Sequence, residues 1–297
     1  MASLLPAFFI EAVCYLACGF PQARAIFAAI PRASLQALLL LITGFAPFLF
    51  LRLGSSHPIE PRPAILLAGL LAVAAFWYVV LPHRLAFDIG FLVIIAAPMV
   101  SHVFPRLYPT DDPALHVDIL GHLTWFRVTL LAFFVIRGWE SGPLSFWPAP
   151  REWRIGAVMF AAAAIVLAIA APLLHFANFG WMPGAWYRVA GTAIGTFLGT
   201  LWVVAFWEEA FCRGVILPAL TRAALPTALA VVVSSLLFGG VHLWTPAHNH
   251  GFPNWSYFGV ASIAGVFYAL AYLRTGSTRA SMVTHALTVT CWRLLFH

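Results

Sequence analysis

This sequence contains few charged residues. Only 9% of its 297 residues are charged, while 62% are hydrophobic; soluble globular domains carry about 25% charged residues. Lysine is absent, so all sixteen basic side chains are arginines. The shortage of charge excludes a soluble globular domain and favours an integral membrane protein. No basic run with interleaved aromatic residues occurs, which excludes a nucleic-acid partner.

Cysteine is also scarce. The four cysteines lie within apolar stretches and form no C-x-x-C motif: Cys14, Cys18, Cys212 and Cys291. This pattern excludes a disulfide framework and a zinc knuckle. The H-E-x-x-H motif of many metalloproteases is missing as well.

Long apolar runs fill most of the chain. A membrane-spanning helix needs ~20 mostly apolar residues, and ten segments qualify: 4–20, 35–53, 64–82, 85–104, 119–136, 156–177, 188–220, 225–244, 255–273 and 279–296. The first and fourth are the weakest. We therefore predict an all-α, polytopic membrane helix bundle with about 8–10 transmembrane helices. The segment 188–220 is too long for one straight span, which predicts that it is tilted, kinked or partly interfacial.

The distribution of arginines predicts an orientation. With ten spans, arginines are more numerous in the loops that follow odd-numbered spans, which places those loops in the cytoplasm and both termini outside. We expect a multi-pass protein of the bacterial inner membrane. Gly191, Gly195 and Gly199 repeat at every fourth position, a pattern that predicts close contact with another helix.

The stretch W-E-E-A-F-C-R-G, residues 207–214, places three charges within an apolar segment. Ionisable side chains inside a membrane are costly and are functional-site hypotheses by default. Glu209 and Arg213 are four residues apart on one helix face, so we predict a structural ion pair. Glu208 is rotated by ~100° from Glu209 and has no basic residue three or four positions away. It is therefore the candidate general base.

Two later spans each contribute one histidine. His242 follows Phe238 on one face of its helix, and Gly239 and Gly240 permit close approach of a neighbouring helix. His285 lies in the last span. A single histidine in an apolar helix is more often a packing residue than a catalyst. Together with Glu208, however, the two histidines form a plausible site for activating water and stabilising an oxyanion.

These motifs resemble the CPBP family. The likeness lies in E-E-x-x-x-R at residues 208–213, F-x-x-x-H from Phe238 to His242, and a histidine in the final apolar segment. The family contains CAAX prenyl endopeptidases, bacteriocin-processing proteins and self-immunity proteins. The likeness covers roughly residues 188–297. We therefore expect a CPBP-like intramembrane protease core at 186–297, preceded at 1–185 by transmembrane helices of unassigned role.

The resemblance implies a glutamic intramembrane protease that needs no cofactor. By this analogy Glu208 activates water, His242 helps to position it and His285 contributes to the oxyanion hole. Glu209 and Arg213 support the site, as does Phe238.

The sequence departs from the family at one position. The last motif of the family usually reads H-x-x-x-N or H-x-x-x-D, but His285 is followed by Val289 at the fourth position. A hydroxyl can donate to an oxyanion, so Thr288 or Thr290 is the candidate replacement.

The expected reaction is hydrolysis of a peptide bond in a membrane-anchored protein or peptide within the lipid bilayer, such as a protein with a C-terminal sorting helix. One alternative is a catalytically inactive immunity or scaffold protein, which Val289 favours. Another is a zinc-dependent CAAX-type membrane protease with two histidines and a carboxylate as ligands. A transporter would also carry intramembrane charges, but no inverted repeat is present. Cys212 lies four residues after Glu208 and is better interpreted as a packing residue than as a nucleophile.

Other polar residues give weaker signals. Four ionisable residues in or near spans are candidates for interhelical polar contacts: Glu11, Asp88, His122 and Arg127. His248, Asn249 and His250 follow the span of His242 and belong either to the entrance of the site or to a solvated loop.

Overall fold

The computed structural model describes residues 4–53, 60–108, 110, 116–140, 143–247 and 251–296. The chain forms two compact units, Met1–Glu140 and Ser141–His297. Helices dominate these ranges and no β-strand occurs in them; Phe179 and Phe296 make only an isolated bridge. The predicted all-α class is confirmed.

Seven helices occur in the described residues of the first unit. They are α1 Leu4–Ala17, α2 Pro21–Ala28, α3 Ala33–Leu53, α4 Pro61–Val80, α5 Leu85–Val100, α6 Phe104–Leu107 and α7 Asp118–Leu131, the last extended by a π-helical turn, Ala132–Ile136. Helices α1 and α2 meet at an angle of 89°. Helix α7 with its π turn is the centre of the unit, because 78% of this span is buried. It packs against α1, α3, α4 and α6.

The second unit contains the motif residues. Its elements are α8 Pro150–Leu173, α9 Trp186–Gly199, a π turn Thr200–Val204, α10 Ala205–Phe211, a π turn Cys212–Ile216, α11 Leu217–Arg222, α12 Thr227–Gly240, a 3₁₀ turn Val241–Trp244, α13 Trp255–Thr275 and α14 Thr278–Leu295.

Local sequence sets the ends of the last two helices. The Asn254 side chain accepts a hydrogen bond from the Tyr257 backbone N–H at 2.9 Å and so caps α13. Gly276 ends α13 with a φ of +67°, a left-handed conformation that glycine adopts without steric cost. Ser277 then caps α14 by accepting from the Arg279 N–H.

Helix α14 is the interior helix of this unit, packed against α8, α9, α10 and α13. It approaches α8 at Gly156, where a Cβ atom would lie 2.7 Å from the Val283 side chain. Helices α12 and α13 approach at Gly239, where a Cβ would overlap Ser262 and lie 2.7 Å from the Phe258 carbonyl oxygen. The predicted close approach of a helix is thereby confirmed at Gly239 but not at Gly240, where a Cβ would meet nothing within 4 Å among the described residues.

Within the described ranges, seven helical segments are long and apolar enough to cross a membrane, or eight if the bent pair α1–α2 counts as one span. Each of the ten predicted segments is helical. The fourth forms α5, which has only 16 residues, and the tenth forms α14, whose polar side chains lower its hydropathy. A multi-pass integral membrane protein results.

The close helix contact that was predicted at the three glycines of α9 is not found within the described ranges. A Cβ atom at Gly191, Gly195 or Gly199 would meet nothing within 4 Å among the described residues. Spacing identifies a face of small residues but not whether another helix covers it, and no described residue covers this face. The proposed core at 186–297 stays a prediction; α8 belongs to the same unit and packs against α13 and α14.

Candidate active site

Residues 186–222 form one helical run of 37 residues, interrupted by two π-helical turns that flank Glu208 and Glu209. Such turns are often found at functional sites. Pro218 has no N–H to bond the Gly214 carbonyl, which explains why the helix adjusts just before it. In this segment the helix is thus irregular at two places, where a wider π-helical turn precedes and follows the two glutamates.

Glu209 and Arg213 form the predicted ion pair, and both side chains are fully buried. Arg213 Nε lies 3.2 Å from Glu209 Oε2, and Nη1 donates to Oε1 at 3.3 Å. Nη2 donates to the Gly265 carbonyl oxygen at 2.8 Å. The guanidinium also lies 4.7 Å from the centre of the Phe238 ring, a favourable cation–π distance. Arg213 thus links three helices.

His285 is held by the same glutamate. Its Nδ1 lies 3.0 Å from Glu209 Oε1, and a carboxylate only accepts, so the Nδ1–H donates. The Tyr268 ring stacks on the imidazole at 4.6 Å with an interplanar angle of 16°. The Phe238 ring meets it edge-on at 5.8 Å. These contacts fix the orientation of the imidazole, with Nε2 on the side of Glu208.

Glu208 has no such partner. Its Oε2 is buried and makes no hydrogen bond within the described part of the chain. The nearest basic atom is His285 Nε2 at 3.8 Å, which is beyond hydrogen-bonding distance. The side chain as a whole is 23% exposed. The predicted lack of a basic partner on its own helix is confirmed.

His242 lies in the 3₁₀ turn that follows α12. Its Nδ1 is 2.9 Å from the Phe238 carbonyl oxygen. Because a carbonyl only accepts, Nδ1 carries the proton and Nε2 keeps its lone pair. The ring contacts Phe238 at 5.0 Å and Tyr257 at 4.6 Å. Phe238 therefore touches both histidines and Arg213.

A cavity of about 160 Å³ joins the two histidines, enough for several water molecules. Its polar lining comes from His242, Tyr257, Tyr268, His285 and Thr288, and Val289 also borders it. Glu208 is not one of the lining residues and adjoins the cavity through His285. The Thr288 hydroxyl donates to the Thr284 carbonyl oxygen at 2.8 Å.

Three residues at this site were not predicted from the sequence. Gly265 supplies the carbonyl for Arg213, and a Cβ there would lie 3.1 Å from Nη2. Tyr268 stacks on His285, and Tyr257 borders the cavity. The two tyrosines are eleven residues apart, about three helical turns, so their shared face on α13 was the available signal.

The structure also places the residues of the other candidate chemistries. Among the described residues, no three His, Cys, Asp or Glu side chains are placed to hold a metal ion. Cys212 packs against the apolar cluster of α8, α12 and α13. His248, Asn249 and His250 lie outside the described residues.

The first unit contains polar contacts of its own. Arg127 donates from Nε and Nη2 to the two carboxylate oxygens of Glu11, at 2.8 and 2.9 Å. Arg137 donates to Asp88 at 2.9 Å. The expected interhelical contacts of Glu11, Arg127 and Asp88 are thereby confirmed.

Residues 190–291 match the family model described as Type II CAAX prenyl endopeptidase Rce1-like. The match includes Glu208, His242 and His285. No curated protein and no solved structure gives a significant match to the chain. The resemblance carried by the motifs is confirmed over this segment, and the similarity to CAAX-type endopeptidases indicates a membrane-embedded protease.

Proposed function

We propose that the protein is a glutamic intramembrane endopeptidase in which Glu208 is the general base. The observation that carries this proposal is the state of that carboxylate: Oε2 is buried, has no hydrogen-bond partner within the described ranges, and lies 3.8 Å from a histidine nitrogen. A buried carboxylate without a partner destabilises the folded protein. A role as proton acceptor from water would explain why such a group is present.

In the proposed reaction, the water oxygen attacks the scissile carbonyl carbon while Glu208 takes a proton from that water. The carbonyl oxygen becomes an oxyanion. When the tetrahedral intermediate collapses, the C=O bond re-forms and the C–N bond breaks. Glu208 then passes its proton to the leaving amine, so the products are a carboxylic acid, which retains the second hydrogen of the water, and an amine.

The histidines have separate roles in this scheme. His242 Nε2 carries a lone pair and accepts a hydrogen bond from the attacking water. His285 donates from Nε2 to the oxyanion in the state that has protons on both ring nitrogens. Glu209 and Arg213 position His285 through the 3.0 Å contact at Nδ1 and do not touch the substrate.

The substrate class follows from the surroundings of the site. Glu208 and His242 lie on helical segments that are long and apolar enough to span a membrane, and much of the cavity lining is apolar. A membrane-anchored peptide, such as a C-terminal sorting helix, enters laterally from the bilayer. We place the protein in a bacterial inner membrane, with the catalytic core at 186–297.

A second candidate function is an immunity or scaffold protein without catalysis. Val289 favours it, because this apolar side chain borders the cavity and offers no hydrogen-bond donor. Replacement of Glu208 separates the two candidates, since a scaffold keeps its cellular phenotype without that carboxylate.

The test is cleavage of a panel of peptides, each with a hydrophobic anchor helix, by the purified full-length protein in detergent. Glu208→Gln preserves size, so we expect a fold of unchanged stability and a kcat lowered by ~10²–10⁴, the usual contribution of general-base catalysis. A chelator should have no effect. Chelator-sensitive cleavage would support the zinc alternative, and wild-type cleavage by Glu208→Gln would contradict the proposal.

A further inference from the structure

The hydrogen-bond donors around the cavity are mostly occupied. The Nδ1–H of His242 donates to the Phe238 carbonyl oxygen, and the Nδ1–H of His285 donates to Glu209. In its neutral form each ring therefore presents an accepting Nε2. A developing oxyanion needs donors aimed at it, and a second protonation of His285 supplies one of them.

The Thr288 hydroxyl on α14 is committed as well, because it donates to the Thr284 carbonyl oxygen at 2.8 Å. The Tyr268 ring on α13 stacks on the imidazole of His285 at 4.6 Å. Val289, one residue after Thr288 on the same border, has no polar atom. We expected from the sequence that Thr288 would replace the missing oxyanion donor. In the structure, however, the Thr284 carbonyl oxygen already accepts the hydroxyl proton of Thr288.

The Tyr257 hydroxyl also belongs to a residue of this lining, and it is uncommitted. No hydrogen-bond partner for it occurs in the part of the chain that the structure describes. Its ring stacks on Phe176 at 4.9 Å and contacts His242 at 4.6 Å. Its backbone N–H is fixed by Asn254 in the first turn of α13. The tyrosine ring is thus held by packing beside His242, one of the residues assigned to water activation.

We propose that the Tyr257 hydroxyl donates a hydrogen bond to the oxyanion of the tetrahedral intermediate and is the second oxyanion donor beside His285. This inference rests on the proposed function. The donor is pre-positioned by packing on two rings and by the helix cap, so it requires no reorganisation during the reaction. The bond is strongest when the carbonyl oxygen carries its full charge, so its loss affects kcat more than KM.

Tyr257→Phe tests this role, because it removes the hydroxyl and retains the ring that packs on His242. We expect kcat to fall by ~10²–10³, the usual effect of removing one oxyanion donor, with KM changed by less than about threefold. Tyr272→Phe is the matched control. It makes the same substitution on the same helix, in the separate apolar cluster formed by α11, α12 and α13, and should cleave as the wild type does.

Rescue of activity by a second substitution distinguishes hydrogen-bond donation by the Tyr257 hydroxyl from a purely structural role of this residue. Val289→Asn in the Tyr257→Phe background adds an amide donor at the border of the same cavity, and we expect it to restore at least tenfold of the lost kcat. Full activity of Tyr257→Phe would overturn the proposal, as would loss of kcat in Tyr268→Phe alone. If Glu208→Gln is inactive in the same assay, only the tyrosine assignment fails; if Glu208→Gln is also fully active, the proposed function itself fails.

Discussion

Both units of this protein bury a glutamate–arginine pair among apolar helices, and the two pairs differ in what surrounds them. In the first unit, Arg127 is bidentate to Glu11 and also donates to the hydroxyl and carbonyl oxygens of Thr43 at 2.9 and 3.1 Å. In the second unit, Glu209 is shared between Arg213 and His285, and a further carboxylate, Glu208, lies beside them without a hydrogen-bond partner among the described residues.

The difference separates structural from chemical use of buried charge. In each unit the paired glutamate has an arginine within 3.3 Å and joins helices through it. Glu208 has no charged partner at hydrogen-bonding distance, since the nearest basic atom is His285 Nε2 at 3.8 Å. Intramembrane charge alone therefore does not mark a candidate general base, whereas a carboxylate without an arginine partner beside a paired one does.

The largest expected effect on stability is in the first unit. Arg127→Met leaves Glu11 buried and unpaired, which should cost ~3–5 kcal/mol of unfolding free energy. Thermal unfolding in detergent measures this loss, and the turnover of the molecules that remain folded should be unchanged. Arg62→Met, at an exposed position on α4, is the control and should change stability by less than ~0.5 kcal/mol. If the two variants were equally stable, the ion pair of Glu11 and Arg127 would not contribute to the stability of the fold.

Glu209→Gln should affect both stability and turnover. It removes the negative charge opposite Arg213 and weakens a charge-assisted hydrogen bond, at a cost of ~1.5–3 kcal/mol. It also weakens the contact that orients His285, so we expect turnover to fall by at least ~10-fold, as for loss of comparable positioning partners. Unfolding and cleavage are measured on the same preparation. Unchanged turnover together with reduced stability would mean that Glu209 resembles Glu11 and has no part in positioning His285.

Gly239→Ala tests the contact that sets the position of His242. The new methyl group would meet Ser262 and the Phe258 carbonyl oxygen, which pushes α12 away from α13 and should cost ~1–3 kcal/mol. Turnover should fall because His242 is three residues further along. Gly240→Ala is the matched control, since a Cβ there meets nothing within 4 Å among the described residues. Destabilisation by Gly240→Ala of the same size would contradict this account.

The sequence predicted those features that depend on neighbouring residues. Apolar length identified the helices, and the spacing of four predicted the pair of Glu209 and Arg213. Rotation by one residue predicted that Glu208 points elsewhere. The local motifs also indicated His242 and His285 as candidate partners of Glu208; the roles of these histidines are proposals.

Features that depend on distant packing could not be read from the sequence. The partner of Glu11 is 116 positions away along the chain, and no spacing rule links them. The stripe of Gly191, Gly195 and Gly199 indicated a helix contact, but spacing says nothing about which surface covers a face. Likewise, the role of Tyr257 depends on which other hydroxyls are occupied, and that requires the contacts of α13 and α14.

The most direct test of the comparison is the same substitution in both units, with stability and turnover measured together. We predict that Glu208→Gln unfolds at the wild-type temperature or above it and loses at least ~10²-fold in kcat, while Glu11→Gln unfolds at a lower temperature and keeps the wild-type kcat per folded molecule. The opposite pattern, with Glu208→Gln cleaving normally but unfolding early, would make Glu208 a structural residue and contradict the central claim.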